Sequence, residues 1–354
     1  MTGFRNFPAL QSAANAGPPL KTAIVCAAQR EVLLATDTAV KRGWIHPILI
    51  GDPDAITAEA EAANLTFHPD QVLPAWSETE AAQRAASLLK SVSTHAAMKG
   101  LIHTDVLLKA LLDEKAGLRR PGERVSHVFL ADIPAYPKLL AITDAAVNIT
   151  PDLNAKAAIL QNAIDLMVSV EVEQPKAAIL SAVETVNPLI VSSLDAAALS
   201  VMSARGQLRG AVVDRPLAFD NAVSLKAAEA KGIASPVAGD ADILLVPDLV
   251  SGNLLAKNLE YMANATLAGL VLGLKAPIVL PSRADPVEAR LAGLAVARLS
   301  YVAMRRKTSE TRQANVWPVH ATRSSPMPDD DCRPTGHRKP ISPNLLNGDA
   351  HAEP

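Results

Sequence analysis

The sequence has few aromatic residues, few cysteines and no excess of charge of either sign. Aromatic residues make up 3% of the 354 residues, too few for the base-stacking platform of a nucleic-acid-binding protein. The 34 lysines and arginines nearly balance the 36 aspartates and glutamates, so no basic surface for a polyanion is expected. Two cysteines can build neither a disulfide framework nor a four-cysteine zinc site. We therefore do not expect nucleic acid as a partner.

The sequence also lacks the segments that carry a chain into a membrane. Its first twenty residues have no basic start followed by an apolar stretch, as a signal peptide would. The most apolar segment, residues 267–280, is interrupted by Lys275 and Pro277 and is too short to cross a bilayer. We therefore expect a soluble, cytoplasmic protein that does not bind a membrane.

Apolar residues make up 49% of the chain, which is enough to bury a full core. Short apolar runs alternate with helical patterns, which is typical of an α/β fold built from βαβ units with parallel sheets. The predicted strands are residues 22–28, 47–51, 125–131, 145–149, 177–182, 210–214, 242–246 and 277–281. The predicted helices are residues 31–42, 55–64, 78–91, 105–115, 155–168, 196–204, 222–230, 254–263 and 287–304.

Four regions are predicted along the chain. Residues 1–20, with three prolines, are expected to be a flexible, loop-like start. Residues 21–149 together with 283–306 are predicted to form one α/β lobe, and residues 150–282 a second lobe. Residues 307–354 contain seven prolines and no sustained hydrophobic period, which predicts a disordered tail. A cleft between two such lobes is a natural ligand site.

No nucleotide-binding or metal-binding signature is present. The sequence contains no P-loop, GxGxxG, HExxH, CxxC or GxSxG motif, and its histidines lack metal-ligand spacing. We therefore expect no metal site and no dinucleotide cofactor. The unusual polar segments instead follow predicted strands, where open α/β sheets bind ligands.

The segment after the last predicted strand combines a hydroxyl, a guanidinium and a helix start. Ser282 and Arg283 lie in that turn. A planar guanidinium beside free helix N–H groups suits an anion such as phosphate. The alternative interpretation is that the turn only caps the helix and Arg283 points into solvent.

Three further segments have the same pattern. Asn253 and Lys257 are four residues apart and share a helix face behind a Ser-Gly-Asn turn. Lys99 precedes a glycine at a helix start, and Ser181 and Glu184 follow a strand. Each segment has a plain structural alternative, in which the lysines are solvated and the other polar residues end a strand or cap a helix.

Taken together, these segments resemble the phosphate acetyltransferase/phosphate butyryltransferase family. The resemblance covers about residues 20–305 and follows the family's order. Its motifs include Gly51-Asp52-Pro53, Met98-Lys99-Gly100, Leu180-Ser181-Ala182-Val183-Glu184 and Pro281-Ser282-Arg283-Ala284-Asp285. Several of these stretches are more similar to the butyryl branch, and to the transferase half of enoyl-CoA hydratase/phosphate acetyltransferase proteins.

The resemblance implies both an architecture and a reaction. The architecture is a two-lobe parallel-sheet α/β fold similar to that of the isocitrate and isopropylmalate dehydrogenases, commonly as a homodimer. The reaction is reversible transfer of an acetyl, butyryl or similar short acyl group between coenzyme A and phosphate. Coenzyme A is then a substrate, and no cofactor is required. By position, Arg283 would bind the phosphate group and Ser282 would steady the tetrahedral oxyanion.

Two positions depart from the acetyl branch. Lys109 stands where that branch has an arginine, and Ala289 stands where it has an aspartate that acts as base for the thiol. Asp285 or Glu288 could take over that role. The substrate-binding residues that the resemblance implies are Lys99, Lys109, Ser181, Glu184, Asn253 and Lys257.

Two alternative functions stay open at this point. A metal- and nucleotide-dependent oxidoreductase of the same architecture would need clustered acidic ligands, and the sequence has no convincing set. A non-catalytic relative that binds coenzyme A is compatible with the missing aspartate at position 289. The preferred acyl chain, the identity of the base, the direction in the cell and the role of the tail are not specified by the sequence.

Overall fold

Eleven strands form one mixed sheet in the computed structural model, which describes residues 3–314 and the side chains up to residue 306. In chain order the strands are β1 Leu20–Val25, β2 Ile45–Gly51, β3 Val72–Pro74, β4 Ala96–Lys99, β5 Ser126–Asp132, β6 Leu140–Thr143, β7 Lys176–Leu180, β8 Val212–Leu217, β9 Ile243–Leu245, β10 Thr266–Leu272 and β11 Ile278–Val279. Their order across the sheet is β3-β2-β1-β4-β11-β10-β5-β6-β9-β7-β8.

The sheet consists of two parallel parts joined by antiparallel strands. Strands β3, β2, β1, β4 and β11 run parallel to one another, as do β6, β9, β7 and β8. The pairs β11/β10, β10/β5 and β5/β6 are antiparallel. The longest antiparallel register pairs β10 with β5, from Thr266 opposite Asp132 to Leu272 opposite Ser126. This confirms the predicted α/β fold with a mostly parallel sheet.

The helices of the described residues lie between these strands along the chain. They are α1 Phe7–Ala13, α2 Arg30–Lys41, α3 Pro53–Ala62, α4 Glu78–Lys90, α5 Thr104–Leu112, α6 Leu153–Ser169, α7 Val191–Ala204, α8 Phe219–Val223, α9 Leu225–Ala230, α10 Leu249–Met262 and α11 Val287–Ala314. Side-chain oxygens of Asp52, Ser77, Asp152 and Asp248 accept hydrogen bonds from N–H groups in the first turn of their helices. None of the described helices is long and apolar enough to cross a membrane.

Small residues allow the helices to approach the sheet closely. Helix α4 buries four alanines against β1, β2 and β4, and α11 buries a run of small residues around Ala295. The inner strands are buried on both faces, as expected for a parallel sheet covered by helices. This packing explains why an alanine-rich, aromatic-poor sequence still builds a core.

Several local predictions differ from the structure. The predicted strand 145–149 is wrong, because the carboxylate of Asp144 accepts hydrogen bonds from three successive backbone N–H groups, which folds this segment into a loop. The true strand there is β6. The loop predicted for residues 1–20 contains α1, whose Phe7 and Leu10 are buried in the core. The predicted helix 222–230 is divided into α8 and α9, because Ser224 adopts extended backbone and caps α9.

Strands β3, β4, β6 and β10 were not predicted. Residues up to Glu310 pack into one compact unit, and the division into two lobes near residue 150 stays a prediction. Helix α11 continues to Ala314, past the predicted boundary at 306. The rest of the predicted tail, residues 315–354, lies outside the described residues.

Candidate active site

Three neighbouring parallel strands end at one edge of the sheet and bring the first group of polar residues together. Cys26 follows β1, Lys99 ends β4, and the turn with Ser282 and Arg283 follows β11. The backbone N–H of Gly100 donates to the carbonyl of Val25, at 2.8 Å. A Cβ at Gly100 would lie 2.3 Å from the carbonyl oxygen of Cys26, so a side chain cannot fit there. The Lys-Gly pair is therefore a close crossing of two strand ends that places Lys99.

The backbone of the turn after β11 is held by the carboxylate of Asp285 and by the side chains of Arg290 and Gln29. Asp285 Oδ2 accepts from the backbone N–H of Ser282 at 2.8 Å. Arg290 Nη2 donates to the carbonyls of Ser282 and Arg283, both at 3.2 Å, and Gln29 Nε2 donates to the carbonyl of Arg283 at 3.1 Å. The backbone of this turn is thus fixed at the Ser282 N–H and at the carbonyls of Ser282 and Arg283.

Arg283 offers a free guanidinium at this site. The residue is exposed, and its side chain forms no hydrogen bond or ion pair with any residue in the described part of the chain. A guanidinium presents up to five N–H donors in one plane, which matches the oxygens of a phosphate. Arg283 is exposed in both sequence-based interpretations, so its role as an anion site stays a prediction.

Lys99 lies under this turn and is 2% exposed. Its ammonium has one long hydrogen bond, 3.4 Å to the carbonyl of Gly100, and it has no ion pair among residues 3–306. Burial and, to a smaller extent, the positive charges of Arg283 and Arg290 lower the pKa of Lys99 to about 8, against the opposing effect of Asp285 and Glu78. The amine form of Lys99 is therefore accessible near neutral pH.

Arg290, which sequence reasoning missed, is fully buried on α11 directly beneath the turn. Only its Nη2 is hydrogen-bonded, and within the described residues the buried Nε and Nη1 have no partner. Burial lowers its pKa, and the charges of Asp285 and Glu31 act in the opposite direction. In the sequence Arg290 is one charged residue in a helix, and only the folded chain shows that it is buried.

Glu78, the first residue of α4, forms a second element that sequence reasoning missed. Both Glu78 oxygens lie 2.9 Å from His103 Nδ1, and the backbone N–H of His103 donates to Glu78 at 3.1 Å. Burial raises the pKa of Glu78, but the contacts with His103 and the charge of Arg283 outweigh it and lower the pKa. This pair joins the starts of α4 and α5 beside Lys99.

Helix α10 places Lys257 near the same turn, and Asn253 stands one helical turn earlier on α10. Asn253 Nδ2 contacts the carbonyl of Ala145 at 3.5 Å, and Lys257 pairs with Glu260 at 2.6 Å. Burial raises the pKa of Asp285, which is buried, and the charge of Glu260 raises it further while that of Lys257 lowers it. Lys257 and Glu260 are therefore close enough to the turn after β11 to act on its carboxylate.

Ser181 and Glu184 form a separate polar group, in the parallel part that holds β7. Ser181 Oγ lies 3.0 Å from Ser192 Oγ. Glu184 accepts hydrogen bonds from Asn221 Nδ2 and, at 2.7 Å, from Lys231 Nζ. The hydrogen bond from Lys231 is the main cause of the lowered pKa of Glu184. No contact among the described residues joins this group to Arg283.

The remaining sequence candidates differ in placement. Lys109 is exposed in the last turn of α5, without a contact to the other candidates among the described residues. Ala289 is 4% exposed, so the position expected to hold a base carries a buried methyl group. Glu288 is exposed. In residues 3–314, no group of three or more His, Cys, Asp or Glu side chains is arranged to hold a metal ion.

Comparison with known proteins identifies the family. A family model described as "Phosphate acetyl/butaryl transferase" matches residues 75–298. The chain is 50% identical over 284 residues to a phosphate acetyltransferase of Rickettsia prowazekii, covering 80% of this chain and 81% of that one. It is 42% identical over 275 residues to a probable phosphate butyryltransferase of Bacillus subtilis, covering 78% and 91%.

A solved structure has the same fold. The crystal structure of a branched-chain phosphotransacylase from Enterococcus faecalis matches with a TM-score of 0.68 and 31% identity, over 80% of this chain and 99% of that one. The similarity thus extends over the sheet and the helices around the turn after β11. These findings confirm the family and the reaction that the motifs predicted: the chain belongs to the phosphate acetyl/butyryl transferases, enzymes that interconvert acyl-CoA and phosphate with acyl phosphate and coenzyme A.

Proposed function

We propose that this acyl transfer takes place at the carboxyl ends of β1, β4 and β11, with Arg283 holding the phosphate group. The observation that carries the proposal is the free guanidinium of Arg283 on a turn whose backbone is restrained by Asp285, Gln29 and Arg290. A restrained turn holds a cation in one place without reorganisation when charge develops, which is the main requirement for electrostatic catalysis.

In the direction of acyl-CoA synthesis, the coenzyme A thiolate attacks the carbonyl carbon of the acyl phosphate. A tetrahedral oxyanion forms and collapses as the carbon–oxygen bond to phosphate breaks. Arg283 offsets the charge of the phosphate, and the hydroxyl of the half-buried Ser282 donates to the oxyanion. Binding both substrates side by side supplies much of the remaining rate.

The other candidates are proposed to contact coenzyme A. Asn253 and Lys257 project from α10 on the side of the Asp285 turn, which suits the part of coenzyme A nearest the thiol. Ser181 and Glu184 lie further away, and Lys109 could meet the charged end of coenzyme A only at the surface. Acetyl and butyryl groups are both proposed substrates, because relatives named for each share more than 40% identity with the chain.

A homodimer is also proposed. Two helices expose apolar side chains that a monomer would leave in water, namely Val191, Leu194 and Val201 on α7 and Val250, Leu254 and Met262 on α10. Large exposed apolar patches mark protein interfaces, and these side chains form the proposed contact surface. Light scattering should then give about twice the 37.2 kDa of one chain. A cytoplasmic location stays a proposal that rests on the low cysteine content.

The experiment for the site is an assay of free coenzyme A thiol released from acetyl-CoA or butyryl-CoA in the presence of phosphate. Arg283→Ala should lower kcat/KM by about 10²–10³-fold, and Arg283→Lys should recover only part because the planar fork is lost. Arg42→Ala is the matched control. Arg42 is also an exposed arginine, but it precedes β2 and so lies at the amino end of that strand, whereas the proposed site lies at the carboxyl ends. Unchanged kinetics in Arg283→Ala would place the reaction elsewhere.

A further inference from the structure

The transfer needs a group that accepts the proton of the coenzyme A thiol. A free thiol has a pKa of about 8.5, so it is mostly protonated at neutral pH, and only the thiolate attacks well. The position expected to hold the base is Ala289, which is buried and has nothing to titrate. Some other group at the turn after β11 must therefore exchange this proton.

Four groups near the turn are unsuited to this task. Glu288 is exposed and points into solvent from α11. The carboxylate of Asp285 closes the turn by accepting from the N–H of Ser282. Glu78 is paired with His103 through both oxygens. Burial raises the pKa of the Cys26 thiol to about 11, so it is a weak acid that stays protonated.

Lys99 differs from these groups because no short hydrogen bond or ion pair among the described residues engages its ammonium. Its ammonium is buried, with a single long hydrogen bond and no ion pair in the described part of the chain. A buried ammonium without a carboxylate partner is unfavourable, which shifts the protonation equilibrium of Lys99 towards the neutral amine. The charged and titratable groups that face it are Arg283 and Asp285 on the turn, Arg290 on α11, Glu78 on α4 and Cys26 after β1.

We infer that Lys99 exchanges the proton of the coenzyme A thiol, and that Arg290 is a positioning residue that keeps the Lys99 amine available. The inference rests on the site proposed above. In acyl-CoA synthesis, the Lys99 nitrogen takes the proton from sulfur, and the thiolate forms the carbon–sulfur bond while the carbon–oxygen bond to phosphate breaks. The ammonium then returns its proton to solvent.

The reverse reaction balances in the same way. A phosphate oxygen attacks the thioester carbonyl, the carbon–sulfur bond breaks, and the Lys99 ammonium gives its proton to the departing thiolate. Arg290 acts through Lys99: its charge has no ion-pair partner among residues 3–306, so its positive field favours the neutral amine. It does not need to touch the substrate.

The test compares Lys99→Arg with Lys99→Met. Arginine keeps the positive charge but cannot lose its proton in this range. If Lys99 exchanges a proton, both variants should lose about 10²–10⁴-fold in kcat. If Lys99→Arg keeps activity within a few fold of the unaltered enzyme, Lys99 is only an anion-binding cation and the inference is wrong.

A pH profile provides a readout that a purely structural role would not move. In the direction of acyl-CoA plus phosphate, the thioester has no thiol to titrate, and phosphate is already the dianion above about pH 8, so a further loss of rate there reports an enzyme group. We expect kcat/KM for acyl-CoA to fall above about pH 8, as the Lys99 ammonium loses its proton. In Arg290→Met the pKa of Lys99 should rise, so this fall should move up by roughly one pH unit. An unmoved alkaline limb would overturn the role of Arg290.

Controls separate the possible failures. Lys156→Arg changes another buried lysine, one that is paired with Asp195 at 2.6 Å outside the site, and should keep both activity and melting temperature. Melting curves for each variant allow rates to be expressed per folded molecule. If Arg283→Ala stays active, the site itself is misplaced. If Arg283→Ala is inactive while Lys99→Arg is active, only the role of Lys99 fails.

Discussion

Two buried arginines on α11, Arg290 and Arg298, lie about two helical turns apart and have opposite surroundings. All five N–H groups of Arg298 are donated to backbone carbonyls at 2.6–2.9 Å, those of Ala14, Ala16, Gly17, Pro18 and Trp44. Arg290 uses only Nη2, and its buried Nε and Nη1 have no partner in the described residues.

The difference shows how one helix can supply both structure and reactivity. The carbonyl dipoles around Arg298 replace the water that this cation loses on burial, and they fix residues 14–18 on the core. Arg290 has an incomplete shell, so part of its desolvation cost is not offset and its field extends to Lys99. The guanidinium of Arg298, with all its hydrogen bonds made, stabilises the fold. The guanidinium of Arg290, with few hydrogen bonds, sets the electrostatic potential at the neighbouring site.

The largest expected effect on stability comes from Arg298. Arg298→Met removes a buried cation that satisfies five carbonyls, and should lower the free energy of unfolding by about 3–5 kcal/mol. Urea denaturation measures this change. The kcat per folded molecule should stay unchanged, and Arg298→Lys should restore part of the stability. A variant that is as stable as the unaltered chain would contradict the structural role of Arg298.

His127 tests how a buried side chain without hydrogen-bond partners affects stability when, unlike arginine, it can lose its proton and become neutral. Its ring is fully buried, and neither nitrogen has a partner among the described residues. Burial lowers the pKa of His127 from 6.5 to about 4, against the opposing charge of Asp144. Above pH 6.5 both folded and unfolded forms are neutral, so stability is lost as the pH falls from 6.5 towards 4, where only the unfolded form binds the proton.

The loss between pH 7 and pH 5 should be about 2 kcal/mol, since each pH unit in this window is worth about 1.4 kcal/mol. His127→Phe keeps an aromatic ring and removes the titration, so its stability should lack this component. Urea denaturation at both pH values measures the difference. Equal pH dependence in the two proteins would show that another group causes the acid loss.

Arg290→Met should lower activity and leave stability nearly unchanged, which is the opposite of the result expected for Arg298→Met. Its hydrogen bonds are few and long, and removing an unpaired buried charge relieves its desolvation, so the free energy of unfolding should change by less than about 1 kcal/mol. In the direction of acyl-CoA synthesis, the rate at neutral pH should fall about tenfold, because the amine form of Lys99 becomes less accessible. Steady-state kinetics and urea denaturation on one sample test both parts. A loss of stability as large as that in Arg298→Met would remove the contrast between the two residues.

The smallest effect is expected from the end of the chain. Residues 315–354 lie outside the described residues, and their sequence has no core-forming period, so removing them should change neither melting temperature nor rate appreciably. The truncation belongs after Ala314, where α11 ends. A second truncation after Val296 is the contrast, since it removes Arg298 and should prevent stable folding. A large effect of the first truncation would show that the tail contacts the body.

The comparison also shows what could be predicted from sequence. Ser282 and Arg283 were found because they follow a predicted strand, and parallel strands end at one edge. Lys99 was found because a Lys-Gly pair precedes a predicted helix, although β4 itself was not predicted. Arg290 and Arg298 were missed because both look like surface charges of a helix. Their burial depends on residues about 260 to 280 positions away along the chain, and no local pattern encodes such contacts.

The difference between local patterns and distant contacts also explains which strands of the sheet could be predicted. The strand–helix repeats gave most of the parallel strands, because apolar runs alternate with helical patterns there. Strands β6 and β10 lie in the antiparallel centre, where the order depends on pairing between distant segments such as β10 with β5. A short run such as β6 is not distinguishable from neighbouring loop by period alone. The hydrogen bonds to Asp144 decide the boundary there.

The most direct measurement is a crystal structure of the protein with coenzyme A and phosphate bound together. We predict phosphate on the guanidinium of Arg283 and the coenzyme A sulfur within hydrogen-bonding distance of Lys99 Nζ, with Arg290 still buried beneath the turn. A coenzyme A sulfur that lies away from Lys99, with phosphate bound by residues other than Arg283, would contradict it.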